Sequence, residues 1–306
     1  MKMLKNRVAT TMGAIVGKDG VKSANKVTAE YWTEHNVTLH HAFRDEKDSL
    51  EYFAWRNDQY FNYIELMPVA GFDGKSVLDF GCGPGHDLVG FGTYSRCKRL
   101  VGVDVSATSI GEARSRLALH GIAAETVLLE TNSNALPYED GTFDHIHCSG
   151  VLHHTPGPLE ILKEFKRVLT PGGSVYVMVY NYNSLWVHLY VAYQRTIVEG
   201  LYPNETLREQ FRHSTDGEDC PISNCYRPDE WIDICRTAGF AAKFAGAAVS
   251  MHELSMVEKR FAAIMDRRLP AESRNFLKAL EFDCHLVPKF QGHYAGIDAC
   301  FRLTQC

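Results

Sequence analysis

The chain has 306 residues, 45% hydrophobic and 23% charged, which is ordinary globular composition with enough apolar content to bury a core. A net charge of −5 excludes the basic footprint of a nucleic-acid or anionic-membrane binder, and no apolar run approaches the roughly 18 residues of a membrane helix. Nine cysteines without a C-x-x-C pair read as reduced thiols of a cytoplasmic protein, which argues against a disulfide frame and against a bound metal.

Residues 1–30 are polar and weakly patterned, as in an N-terminal arm, and their apolar stretch is too short for a secretory signal. Residues 31–70 mix aromatics with charges and predict a helical cap. From residue 71 the pattern becomes regular. Ser76 to Phe80 is a short apolar strand running into the turn Gly81-Cys-Gly-Pro-Gly85. Arg99 to Asp104 is a second strand, and Ser106 caps a helix that Gly121 ends. Strands follow at Ala124–Leu129 and Phe143–Cys148, then a helix from Pro158 with Ile161, Leu162, Phe165 and Val168 on one face, then a strand at Ser174–Val179. Alternation of this kind predicts parallel strands joined by crossovers, hence a doubly wound α/β sheet.

Beyond it the pattern loosens. Tyr180 to Tyr202 predicts a helix, Asp216 to Arg227 a loop, and Pro228 to Gly239 a helix. A strand near Phe240–Val249, two helical segments in 252–281 and a last strand at Gly296–Thr304 complete the reading. This gives one domain over 71–306 with a lid-like insertion at about 181–228 and a helical insertion at about 252–290.

The chemistry is written in the first turn. Gly81, Gly83 and Gly85 are spaced GxGxG, Asp79 precedes them on the strand, and Asp104 ends the next strand 19 residues beyond Gly85. Such a turn lets backbone N–H groups approach a ligand, and an acid ending the second strand accepts ribose hydroxyls. Together with Thr131-Asn-Ser-Asn-Ala-Leu-Pro137, Ser149-Gly-Val-Leu-His-His154 and Leu169-Thr-Pro-Gly-Gly173, this series resembles the class I S-adenosylmethionine (SAM)-dependent methyltransferases over residues 74–180. The resemblance implies a Rossmann-like, seven-stranded, mostly parallel sheet and SAM as cofactor, with S-adenosylhomocysteine as product. It also implies cofactor contacts from Asp79, Gly81, Cys82, Gly83, Gly85, Asp104, Val105, Asn132, Ser133 and Ser149. Asn132 stands where the family usually has Asp.

The Asn/Asp-Pro-Pro-Tyr signature of DNA and protein-glutamine N-methyltransferases is replaced by Ser149-Gly-Val-Leu152, which favours a small-molecule acceptor over nucleic acid. His153 and His154 are candidate bases for O- or N-methylation, or they pack beside the cofactor without catalysing anything. A thioether acceptor needs no base, only orientation and aromatic faces that tolerate a sulfonium. Trp55, Tyr60, Tyr180, Tyr182 and Trp186 are candidates for those faces. Over its whole length the chain is similar to bacterial methionine S-methyltransferases, which make S-methylmethionine on a route to dimethylsulfoniopropionate. That similarity implies a cation for the substrate carboxylate, with Arg56 and Arg227 as candidates, and an acid for its ammonium, with Asp58 and Asp216. A SAM-binding pseudoenzyme and a nicotinamide oxidoreductase are competing readings, and the sequence is compatible with a homodimer.

Overall fold

The computed structural model describes residues 18–131 and 133–306; the first 17 residues of the expected arm and the expected cofactor contact Asn132 lie outside the described residues. The strands are β1 (Tyr60–Phe61), β2 (Ser76–Phe80), β3 (Arg99–Asp104), β4 (Glu125–Leu128), β5 (Phe143–Ser149), β6 (Leu169–Tyr180), β7 (Phe240–Ser250), β8 (Glu281–Phe282), β9 (Pro288–Phe290), β10 (His293–Tyr294) and β11 (Asp298–Gln305). Eight of them form one sheet in the order β4-β3-β2-β5-β6-β11-β7-β1. Pairings from β4 through β6 are parallel, and β11 runs antiparallel between β6 and β7. Seven of these strands are the expected ones. The eighth, β1, comes from the aromatic segment expected to be wholly helical, where Tyr60 and Phe61 pair with Ser250 and Val249 at the sheet edge.

Both faces are covered, as a parallel sheet requires. Leu78, Val101 and Ile146 pack on one side against Leu162 and Phe165 of the Pro158–Val168 helix and Trp231 of the Pro228–Thr237 helix. Val77 and Leu100 pack on the other against Leu88, Phe91 and Leu117. The alternation of side chains along β2 and β3 assigns each residue its face. The Glu46–Asp58 helix, capped by Asp45, is tied to this second layer by a buried arginine. Arg116 donates to the Ser49 hydroxyl (2.7 Å) and carbonyl (3.0 Å) and lies over the Phe43 ring at 4.2 Å.

The C-terminal half departs most from expectation. Only Trp186–Val198 of the expected 180–202 helix is helical, and it is a π-helix, a rare form found mostly at functional sites. The two helical segments expected in 252–281 are three, Met251–Met256, Arg260–Met265 and Ala271–Lys278, followed by a small antiparallel sheet of β8, β9 and β10. Among the described residues no helix is long and apolar enough to cross a membrane.

One buried carboxylate joins these late elements. Glu253 Oε2 accepts from the Ser250 N–H (2.8 Å), the Ser250 hydroxyl (2.9 Å) and the Ile297 N–H (3.2 Å), and Oε1 accepts from the Trp186 N–H (2.9 Å). Glu253→Ala orphans three backbone donors, and at about 1–3 kcal/mol per buried unsatisfied group the fold loses about 3 kcal/mol or more. Urea denaturation measures this; a loss below about 1 kcal/mol, well under one orphaned group's upper cost, would show that the seam is held elsewhere.

Candidate active site

The C-terminal ends of β2, β3, β5 and β6 open onto one cavity of about 1240 Å³, which runs from the glycine turn to an aromatic chamber under the Lys18–Glu34 helix. Open α/β sheets bind ligands at this edge, where strand order reverses between β2 and β5.

The turn is shaped by close approach. Gly81 (φ +75°) has no room for a side chain, because an added Cβ would lie 2.2 Å from Val151 Cγ2. At Gly85 (φ +79°) an added Cβ would lie 3.2 Å from Ala113 Cα. Gly83 (φ +50°) differs, since its missing Cβ would point into open space on the cavity wall. Asp104 holds the turn from the next strand, accepting from the Gly83 N–H (2.9 Å) and, through its other oxygen, from the Ser106 N–H (2.8 Å). Burial nonetheless raises its pKa, outweighing these donors. Asp79, 2% exposed, sits behind the turn with Oδ2 unpartnered. Burial, then the charges of Asp87 and Asp104, push its pKa well up. Asp87 goes the other way: burial opposes ionisation, but His147, 3.4 Å away, overrides it and holds the carboxylate charged.

Of the expected cofactor contacts, Gly81, Cys82, Gly83, Asp104, Val105, Ser133 and Ser149 line the cavity. Asp79 and Gly85 do not; they support the turn from behind. A cradle open at Gly83, a carboxylate at the end of β3 and a buried orphan oxygen under the turn fit a SAM-sized, cationic amino-acid nucleoside.

The chamber is walled by Trp32, Tyr52, Trp55, Tyr60, Tyr63 and Trp186. Trp55, 55% exposed, stands at the rim. The Tyr63 hydroxyl bonds the Ser149 hydroxyl, joining the cap to the end of β5. Trp186 is anchored by its indole N–H on Thr215 (2.8 Å). Arg56 lines the chamber and, among the described residues, its guanidinium meets no carboxylate and donates no hydrogen bond.

Beside it lies a polar cluster. His154 Nδ1 donates to the Ile222 carbonyl (2.6 Å), which leaves Nε2 as a lone pair 3.7 Å from Asp216 Oδ2. Burial lowers the His154 pKa despite the Asp216 charge, so the ring is neutral. Asp216 also accepts from the Tyr180 hydroxyl (2.7 Å) and from Ser223 (3.1 Å). Trp32 packs its ring 4.7 Å from His154, and the Tyr31 hydroxyl bonds the Asp216 carbonyl. Cys220 completes a trio with His154 and Asp216, one ligand atom of each lying within 4.8 Å of the others, while His154 Nδ1 is engaged by the Ile222 carbonyl and Cys220 Sγ lies 4.0 Å from it.

The remaining expectations divide. His154, Asp216, Trp55, Arg56, Tyr60, Tyr180 and Trp186 line the cavity. His153 does not: it is fully buried behind Tyr180, ring centroids 3.8 Å apart, with both ring nitrogens unpartnered. Tyr182 and Arg227 belong to a separate network, where Arg227 lies over the Tyr182 ring at 4.0 Å and both bond Glu272. They sit past the end of β6, beyond the chamber. Asp58 is exposed and lines no part of it. Sequence reasoning missed Tyr63 on the chamber wall and missed Asp298, the acid that opens β11 ahead of Ala299, Cys300 and Phe301.

Comparison with known proteins identifies the family and the fold. The family described as a methyltransferase domain matches residues 52–243. A ubiquinone biosynthesis O-methyltransferase of Pseudomonas aeruginosa is 30% identical over 147 residues, 47% of this chain and 60% of that one. A tRNA U34 carboxymethyltransferase of Campylobacter curvus is 34% identical over 125 residues, 40% of each. The chain thus spans two to three fifths of these relatives' length. Among solved structures, a SAM-dependent methyltransferase of Thermotoga maritima superposes with a TM-score of 0.52 at 18% identity, covering 91% of this chain and 100% of its own. The YcgJ protein of Bacillus subtilis gives 0.52 at 16%, covering 79% and 95%. The chain belongs to the methyltransferase-domain family, the SAM-dependent methyltransferases of class I fold.

Proposed function

We propose that this chain methylates a small molecule held in the aromatic chamber, and that the first acceptor to test is the thioether sulfur of methionine. The observation that carries the reading is the single cavity joining the glycine turn to the chamber. SAM, when bound along the turn, supplies an electrophilic methyl on a sulfonium. The acceptor's sulfur lone pair forms the new bond to that carbon as the old carbon–sulfur bond breaks, so the positive charge passes to the acceptor and no proton is released. The chain's part is to orient the acceptor and exclude water. The unpaired Arg56 suits an acceptor with an acid group, and the aromatic faces accommodate the cation at about 0.5–2 kcal/mol per contact.

A second reading has its own observation. The free Nε2 of His154 on the cavity wall is placed to take a proton from an oxygen or nitrogen acceptor. Production of S-adenosylhomocysteine from methionine, amines, phenols and carboxylic acids separates acceptor classes, and background turnover with methionine would eliminate the sulfur reading. His154→Ala lowers a base-dependent rate by about 10²–10⁴-fold and leaves sulfur methylation within about tenfold.

Three variants test the cofactor half by calorimetry with S-adenosylhomocysteine. Asp104→Ala weakens binding by about 1.5–3 kcal/mol, the scale of hydrogen bonds to a charged group. Gly83→Ala loses affinity with a small change in Tm, whereas Gly81→Ala, which drives a methyl into Val151, lowers Tm first. Equal behaviour of the two glycine variants would refute the assignment of the open side to the ligand.

A further inference from the structure

Asp298 is 3% exposed, yet its carboxyl accepts no hydrogen bond from any described residue and faces the cavity. A buried carboxyl without donors is costly, and two neighbouring cavity acids avoid that cost. Asp104 takes two N–H groups, and Asp216 takes Tyr180 and Ser223. Asp298 sits at the start of β11, in register with Tyr180 on β6. It lies three strands from β2, roughly 14 Å from the glycine turn at the usual strand spacing. Tyr180, Tyr60 from β1 and Tyr63 from the Tyr63–Leu66 helix are all within its electrostatic reach.

We propose that the acceptor carries a cationic nitrogen and that Asp298 holds it, which with Arg56 on the acceptor's acid group makes the substrate class amino acids. This rests on the reading of the aromatic chamber as the acceptor site. A buried carboxyl without a donor, on a cavity wall shared with Tyr60, Tyr63 and Tyr180, is the chemistry that recognises an ammonium group. Its electrostatic setting agrees: burial and then the Glu253 charge push the Asp298 pKa up to about 8, with Arg56 opposing and Asp216 adding. A bound cation would reverse that shift and draw the proton off.

The test is thermal shift and calorimetry on the full chain saturated with S-adenosylhomocysteine. The probes are methionine, 3-(methylthio)propylamine, 4-(methylthio)butanoate, and a panel of amino acids and amines with uncharged isosteres. Amine-bearing probes are expected to bind, and Asp298→Asn to weaken them at least about tenfold, the scale of a lost charge-assisted contact. The same variant leaves 4-(methylthio)butanoate and S-adenosylhomocysteine within about twofold, which also reports that it is folded. Amine affinity in the native chain rises about tenfold from pH 6.5 to 8.5 as Asp298 ionises, and stays flat in Asp298→Asn. The proposal is overturned if no amine probe binds, if the variant binds them equally, or if uncharged isosteres bind as well. An amine bound through Asp298 without methionine turnover removes the sulfur reading and leaves this one. Methionine turnover unchanged in Asp298→Asn does the reverse.

Discussion

The aromatic half of the cavity depends on one carboxylate. Glu253 gathers donors from the end of β7, the start of β11 and the first turn of the π-helix, three segments far apart in sequence. Those segments supply Ser250, Asp298 and Trp186 to the chamber wall. Glu253 is fully buried, and burial pushes its pKa up to about 7 against all four hydrogen bonds. The cost of burying an acid is offset because it satisfies backbone groups that the ending strand and starting helix leave open.

The cofactor half is ordered differently. Its turn is set by local backbone: three glycines with positive φ, one of them packed on Val151, another on Ala113, and the third held by a hydrogen bond to Asp104. The result is rigid without side-chain help from the cap. The two halves meet at Ser149, where Tyr63 reaches across from the cap to the end of β5. The site thus stands on a rigid sheet edge on one side and an assembly of late elements on the other.

The cavity wall is predominantly acidic. Asp87, Asp104, Asp216 and Asp298 line it, against a single guanidinium from Arg56 among the described residues in the chamber wall. In a site shielded from water, a surplus of acids favours cations and raises the pKa of any carboxyl left without a donor. That field suits a sulfonium donor and a charged acceptor together. The neutral His154, pinned through Nδ1, contributes a lone pair but no charge.

The sequence by itself determined the parallel core, the turn and the acid that ends β3. These signals are local: apolar runs of strand length, glycines at a fixed spacing, helix starts marked by the Ser106 cap and by Pro158 in the first turn. It placed His154, Arg56 and Trp186 among the candidates, but it ranked His153 with His154, although adjacent residues on a tight turn point in different directions. Only the tertiary structure separated them, sealing His153 behind Tyr180. It likewise drew Tyr182 and Arg227 away into the Glu272 network and turned Tyr60 and Phe61 from helix to edge strand. Asp298 shows why the rest stayed hidden. An acid at the head of a strand looks like a solvated strand end until the antiparallel insertion of β11 between β6 and β7 places it on the chamber wall. Strand order is a long-range property, and no short window of residues encodes it.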